Sequence, residues 1–182
     1  MINIKPRFKI MLIISSVFGV FYPTLSAEIC LVDDFNAILS IFNESNLSLS
    51  NIFLPRTTEG GYYRPLIGVS YWLDKELWFL DEHLMHFESV IAHLANGILV
   101  YFVTRKAIKL CNIQQDNLLP LLASLLFSLH PVVTESVNWI SGRTDIMMGN
   151  FVLISVFLFL CYREARKKWQ LFSGFFFLIL AG

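Results

Sequence analysis

The sequence predicts an all-α fold: a polytopic transmembrane helical bundle with an outer loop that carries interfacial amphipathic helices. Three observations predict it. Of the 182 residues 55% are hydrophobic and only 15% charged, with a mean hydropathy of +0.60; a soluble domain carries about a quarter of its residues as charges. Apolar stretches near the ~20 residues that a spanning helix needs recur along the chain. Basic clusters stand at alternate ends of those stretches. With a formal net charge of +0, nothing suggests a nucleic-acid surface, and no nucleic-acid partner is expected. Cys30, Cys111 and Cys161 lie far apart, each in or beside an apolar segment. They make no CxxC pair and read as buried thiols.

The elements follow in order. The first span runs from about 8 to 25, preceded by Lys5, Arg7 and Lys9. It also resembles a signal peptide with a weak cleavage site at TLSA, 24–27. The length of its apolar stretch and the spans that follow predict a retained helix. Further spans are predicted at about 87–110, 118–137 and 146–162. A last apolar stretch, about 169–182, is short for a span. Cytoplasmic loops collect Lys and Arg. With the N-terminus inside, the inner segments hold Lys5, Arg7 and Lys9, then Arg105, Lys106 and Lys109, then Arg163, Arg166, Lys167 and Lys168. Of the acids only Asp116 and Glu164 fall inside.

The outer loop, about 26–86, is patterned. Ile38, Leu39, Ile41 and Phe42, then Leu47, Leu49, Ile52, Phe53 and Leu54, read as short amphipathic turns. Residues 66–80 carry Tyr71, Trp72, Trp78 and Phe79, which suits a helix lying at the bilayer interface. GGYYRP, 60–65, reads as a turn entering that helix, with Pro65 in its first turn.

Several polar residues call for a reason. Asp33 and Asp34 follow the first span directly. They read either as a solvated helix end or as a base or metal ligand. A carboxylate beside low-dielectric lipid has its charged form disfavoured, which raises its proton affinity, and a pair can hold a divalent cation. Arg64, between Tyr63 and Pro65, can grip a lipid-linked phosphate with its planar fork or pair with an acid or headgroup. His86 and His93 are two turns apart and point the same way, with Glu88 on another side of the helix and His83 ahead of it. Two histidines under-coordinate a metal. Hydrogen bonding between helices or contact with a polar cavity is the alternative, and a proton path through Glu88, His93 and Asn96 is a further one. His130, Glu135, Arg143 and Asp145 gather at the outer end of the third span and the turn into the fourth. Pro131 breaks the helix there and frees a backbone carbonyl. Mutual pairing, Arg143 with Asp145 or Glu135, is one reading; an outward-facing polar site beside lipid is the other.

LVDDF (31–35), YYRPL (62–66), WLDKEL (72–77), the His86–His93 helix and SLHPVVTESVNWISGRTD (128–145) occur in that order. Together they resemble the N-terminal membrane module of the transmembrane and tetratricopeptide-repeat-containing (TMTC-like) proteins, GT-C-fold protein O-mannosyltransferases. The resemblance covers about residues 8–182 and implies a partial GT-C-like module. It implies a glycosyltransferase that takes a sugar, typically mannose, from a polyprenyl-phosphate donor to a protein acceptor. The implied catalytic carboxylate is Asp33 or Asp34. Arg64 and Arg143 are the implied donor phosphate-binding residues, with His86, His93, His130, Glu135 and Asp145 lining the cavity. No resident cofactor is implied; a divalent metal remains open. The family's module has about twice as many spans, followed by tetratricopeptide repeats. The chain therefore reads as a fragment, a truncated reading frame or a split subunit, with membrane lipids and a missing half or partner subunit as further partners. A non-catalytic membrane subunit, its polar groups serving helix packing and assembly, is the rival reading.

Overall fold

The computed structural model describes residues 5–28, 52–53, 63–113 and 118–181. Asp33, Asp34 and most of the amphipathic turns expected over 38–54 lie outside the described residues. Among the described residues every element is helical and no strand occurs.

Helix α1, Pro6–Phe21, has proline at its first position, where the missing N–H costs nothing. Its buried residues Lys9, Ile13, Val17 and Phe21 recur every fourth position and so share one face. A 3-10 turn, Tyr22–Ser26, continues it. Helix α2, Pro65–Trp78, also starts on a proline. It stops where Phe79 (φ 50°) and Leu80 (φ 62°) take left-handed backbone, strained for such side chains. Helix α3, Glu82–Leu110, is started by Asp81, whose carboxylate accepts from the Leu84 N–H at 3.0 Å. Helix α4 is Leu119–Ser128, the 3-10 turn Pro131–Val133 follows, and α5 is Thr134–Asn138. Helices α6, Arg143–Ala165, and α7, Lys168–Ala181, complete the set.

Among the described residues, three helices are long and apolar enough to cross a membrane: Pro6–Ser26, Glu82–Leu110 and Arg143–Ala165. The bent pair Leu119–Ser128 and Pro131–Asn138 makes up to four. The chain is thus an all-α membrane protein. The structure departs from the sequence reading at particular places. The span expected over 118–137, with a break at Pro131, is two helices bent by 45° on either side of Leu129–His130, because proline cannot continue the ladder. Helix α3 begins at Glu82, so His83 lies in its first turn rather than ahead of it. Cys111 is exposed and Cys161 half-buried, not the buried thiols expected.

Helix α3 is the hub; α1, α4, α5 and α6 all pack on it. Ile13, Val17, Val90, Leu94, Leu121 and Val137 form the main apolar core. The α3–α4 crossing is close because it uses small residues, as membrane helices do. Ser124 donates to the Gly97 carbonyl at 2.7 Å, and a Cβ on Gly97 would stand 2.2 Å from the Ser128 hydroxyl. Helix α6 buries only Arg143 and Ile146 and leaves Met148, Val152, Val156 and Phe159 exposed, as a lipid-facing span would. The helix ends sort into two sets. At one end Thr24 donates to Asn138 at 2.6 Å, and the His83 ring lies 2.7 Å from the Leu25 carbonyl. At the other, Glu164 of α6 pairs with Lys106 and, at 2.6 Å, with Lys109 of α3.

Candidate functional site: the Arg143 cluster

Tyr71 and Asp74 stand three residues apart on α2 and are its two buried residues. Three residues is close to one helical turn, so both point the same way. They meet the start of α6. Gly142 lets the turn before α6 close on α5: a Cβ there would lie 2.6 Å from the Ser136 carbonyl oxygen. Arg143 follows as the first residue of α6, and its side chain is only 5% exposed. Its Nη1 donates to Asp74 Oδ2 in a buried ion pair. Nη2 donates to the Met85 carbonyl at 3.3 Å and lies 3.4 Å from Glu88 Oε2. The guanidinium carbon sits 5.2 Å from the centre of the Tyr71 ring, within cation–π range. Tyr71 donates its hydroxyl to the Ile140 carbonyl at 3.2 Å, and Trp78 Nε1 donates to Glu88 Oε1 at 2.5 Å.

Two carboxylates therefore share one guanidinium. Burial pushes the Asp74 carboxyl up to about 7 from the ordinary 3.8; Arg143 pulls it down and neighbouring Glu88 pushes it up again. Burial prevails because the charged form of a carboxylate loses its water there.

The other expected residues sort plainly. Arg64 is exposed at the N-cap of α2. His130 is exposed, and its Nδ1 accepts from the Val132 N–H at 3.2 Å, capping the 3-10 turn. Glu135 and Asp145 are exposed; Asp145 accepts from the Ser136 hydroxyl at 3.3 Å. The pairing read for Arg143 with Asp145 or Glu135 is thus replaced by Asp74 and Glu88, which the fold brings to it from α2 and α3. His86 and His93 are both buried on α3, as their spacing implies. His93 Nε2 lies 3.0 Å from the Ser128 carbonyl, with Phe21 edge-on and Phe127 stacked. It serves the α3–α4 contact. Asn96 donates to the Ile146 carbonyl at 3.0 Å, while Glu88 turns to Trp78 and Arg143. The three residues considered for a proton path thus reach three different partners. Among the described residues, no group of three or more His, Cys, Asp or Glu could hold a metal ion.

Sequence reading missed Asp74, Tyr71 and the role of Glu88. The available signal was Tyr71, Asp74 and Trp78 at i, i+3 and i+7, one face of a helix with an acid on it.

The sequence is similar to those of several curated proteins. Protein O-mannosyl-transferase tmtc2 of Xenopus laevis is 33% identical over 122 residues, covering 66% of this chain and 13% of the relative. Protein O-mannosyl-transferase TMTC2 of Mus musculus is 28% identical over 178 residues, covering 89% of this chain and 20% of the relative. Protein O-mannosyl-transferase TMTC4 of Homo sapiens is 32% identical over 139 residues, 69% of this chain and 18% of the relative. The chain spans a fifth or less of the length of these relatives. No family model and no solved structure matches it.

Proposed function

The chain is a TMTC-like protein, and on that premise we propose that it supplies the donor-side part of a membrane glycosyltransferase that moves a sugar, mannose in the first instance, from a polyprenyl-phosphate donor to a protein hydroxyl. The observation that carries this reading is the likeness to protein O-mannosyl-transferases along 89% of the chain. In this reading Asp33 or Asp34 takes the proton of the acceptor hydroxyl. The freed oxygen attacks the anomeric carbon, and the bond from that carbon to the phosphate oxygen breaks. The polyprenyl phosphate leaves with one more negative charge than it had in the donor. Arg64, exposed at the head of α2, is suited to meet that charge with its fork of donors. A divalent cation on Asp33 and Asp34 would serve the same end, and loss of transfer in EDTA would reveal it.

The reacting face is extracytoplasmic or lumenal and the N-terminus cytoplasmic. The supporting observation is that ten basic residues, from Lys5 to Lys168, fall in the segments assigned to the inside. Donor binding tests the reading without needing turnover. Retention of a short-chain polyprenyl phosphate by the purified chain should weaken on Arg64→Ala by about 10–100-fold, the worth of a charge-assisted hydrogen bond. Equal retention by wild type and variant contradicts the role of Arg64. A second reading, a non-catalytic subunit whose polar groups serve assembly, is favoured by the engagement of Arg143 with Asp74 and of His93 with α4. It predicts no polyprenyl-phosphate retention at all.

A further inference from the structure

Helix α2 joins the bundle differently from the long helices around it. Helices α1, α4, α6 and α7 each run along a neighbour, whereas α2 makes no lengthwise contact with a described helix. Its two buried side chains, Tyr71 and Asp74, reach instead to the turn before α6 and to the first residue of α6. Arg143 closes the joint. One nitrogen holds Asp74 of α2, the other faces Met85 and Glu88 of α3, and the Tyr71 ring lies against the guanidinium. Trp78, one turn beyond Asp74, ties the end of α2 to Glu88. Three elements therefore meet at a single side chain that offers several donors in one plane, which a lysine cannot do.

At the opposite end of α2 stands Arg64. The 14 residues of the helix put roughly 20 Å between the two ends, so a change of angle at the joint carries Arg64 with it. We propose that Arg143 is a positioning residue: with Asp74, Glu88 and Tyr71 it forms a latch that fixes the angle of α2 on the bundle, and thereby the place of Arg64 beside the phosphate of the sugar donor. The part concerning the phosphate rests on the function proposed above; the latch does not. Without Arg143 two carboxylates would face each other with no counter-charge, and they would separate toward water. Without Asp74 the buried face of α2 would lose its one charged anchor.

The test reads geometry rather than transfer. In the full 182-residue chain in lipid nanodiscs, Cys30, Cys111 and Cys161 are replaced by Ala. Spin labels are attached through Leu77→Cys on α2 and Phe159→Cys on α6, both at exposed positions. A second pair, Ile91→Cys on α3 with Phe159→Cys, reports on the bundle alone. Electron–electron distance measurements should give narrow distributions for both pairs in the otherwise native chain. Asp74→Ala and Arg143→Met should each broaden and lengthen the Leu77–Phe159 distribution and leave the Ile91–Phe159 distribution narrow. An unchanged Leu77–Phe159 distribution in either variant overturns the latch. Broadening of both pairs makes these residues part of general bundle packing and overturns it equally. Neither result bears on donor retention by the Arg64→Ala chain, so the latch and the transferase reading fail separately.

Discussion

Arg143 touches α2 through Asp74, α3 through Met85 and Glu88, and begins α6 itself. That crowding gives it two distinguishable energetic signatures. The first is non-additivity. If Arg143 acts on the donor only through the placing of Arg64, Arg143→Met should weaken polyprenyl-phosphate retention in the native background. It should add nothing once Arg64→Ala is present. Two independent phosphate contacts would multiply instead. The second is a pH dependence. The Asp74 carboxyl is raised from 3.8 to about 7 in the fold, so the folded chain binds its proton more tightly than the unfolded chain does. The stability so contributed is full below the unfolded value and is lost as pH rises through about 7. The melting temperature of the chain in detergent should therefore fall between roughly pH 4 and pH 7. Asp74→Asn should flatten that fall; an equally steep fall in the variant would assign the dependence to other groups. Arg143 was legible in the sequence as a residue that needed a partner. Its partners were not, because Asp74 and Glu88 lie 69 and 55 positions away and only the fold brings them near.

Among the elements, α3 and α4 show how small residues set a close crossing. Gly97 faces Ser128 so tightly that a methyl group has no room. Gly97→Ala should destabilise the chain by about 1–3 kcal/mol, the usual cost of overpacking. Ser128→Ala in the same chain should recover part of the loss, read by denaturation in mixed micelles. Equal stability of Gly97→Ala and wild type would mean the helices can part without cost. The long apolar helices were legible because composition and length suffice to find a span. The break at Pro131 was legible too, since proline has no N–H to donate. What it does to the helix that contains it was read less well: the expected span 118–137 became α4, a 3-10 turn and α5. The boundary at Glu82 was missed because the amphipathic outer loop and the span run together in hydropathy. The Asp81 cap, not apolarity, marks the start.

Over the whole molecule the described polar groups separate by end, with Arg143, Asp74 and Glu88 at one and Glu164 with Lys106 and Lys109 at the other. On the topology proposed above, the second end is the cytoplasmic one. Two acceptor patterns, NES at 43–45 and NLS at 46–48, fall in the loop assigned to the outside. On translation into endoplasmic-reticulum microsomes the chain should gain a glycosidase-sensitive mass that Asn43→Gln with Asn46→Gln removes. Cys111, exposed beyond the end of α3, should resist an impermeant thiol reagent in intact cells. Labelling of Cys111 from outside would reverse the topology. The all-α membrane class and the TMTC-like resemblance were both legible in the sequence, the first from composition and the second from ordered motifs such as LVDDF and HPVVTESVNWISGRTD. The most direct measurement of the account's central claim is sugar transfer by the full-length gene product, from a radiolabelled polyprenyl-phosphate mannose to a hydroxyl-bearing peptide in isolated membranes. Asp33→Asn and Asp34→Asn each keep size and hydrogen bonding and remove the base. One of them should lower the transfer rate by about 10²–10⁴-fold at equal membrane abundance, the range of general-base catalysis. Near-native transfer by both variants would contradict the account.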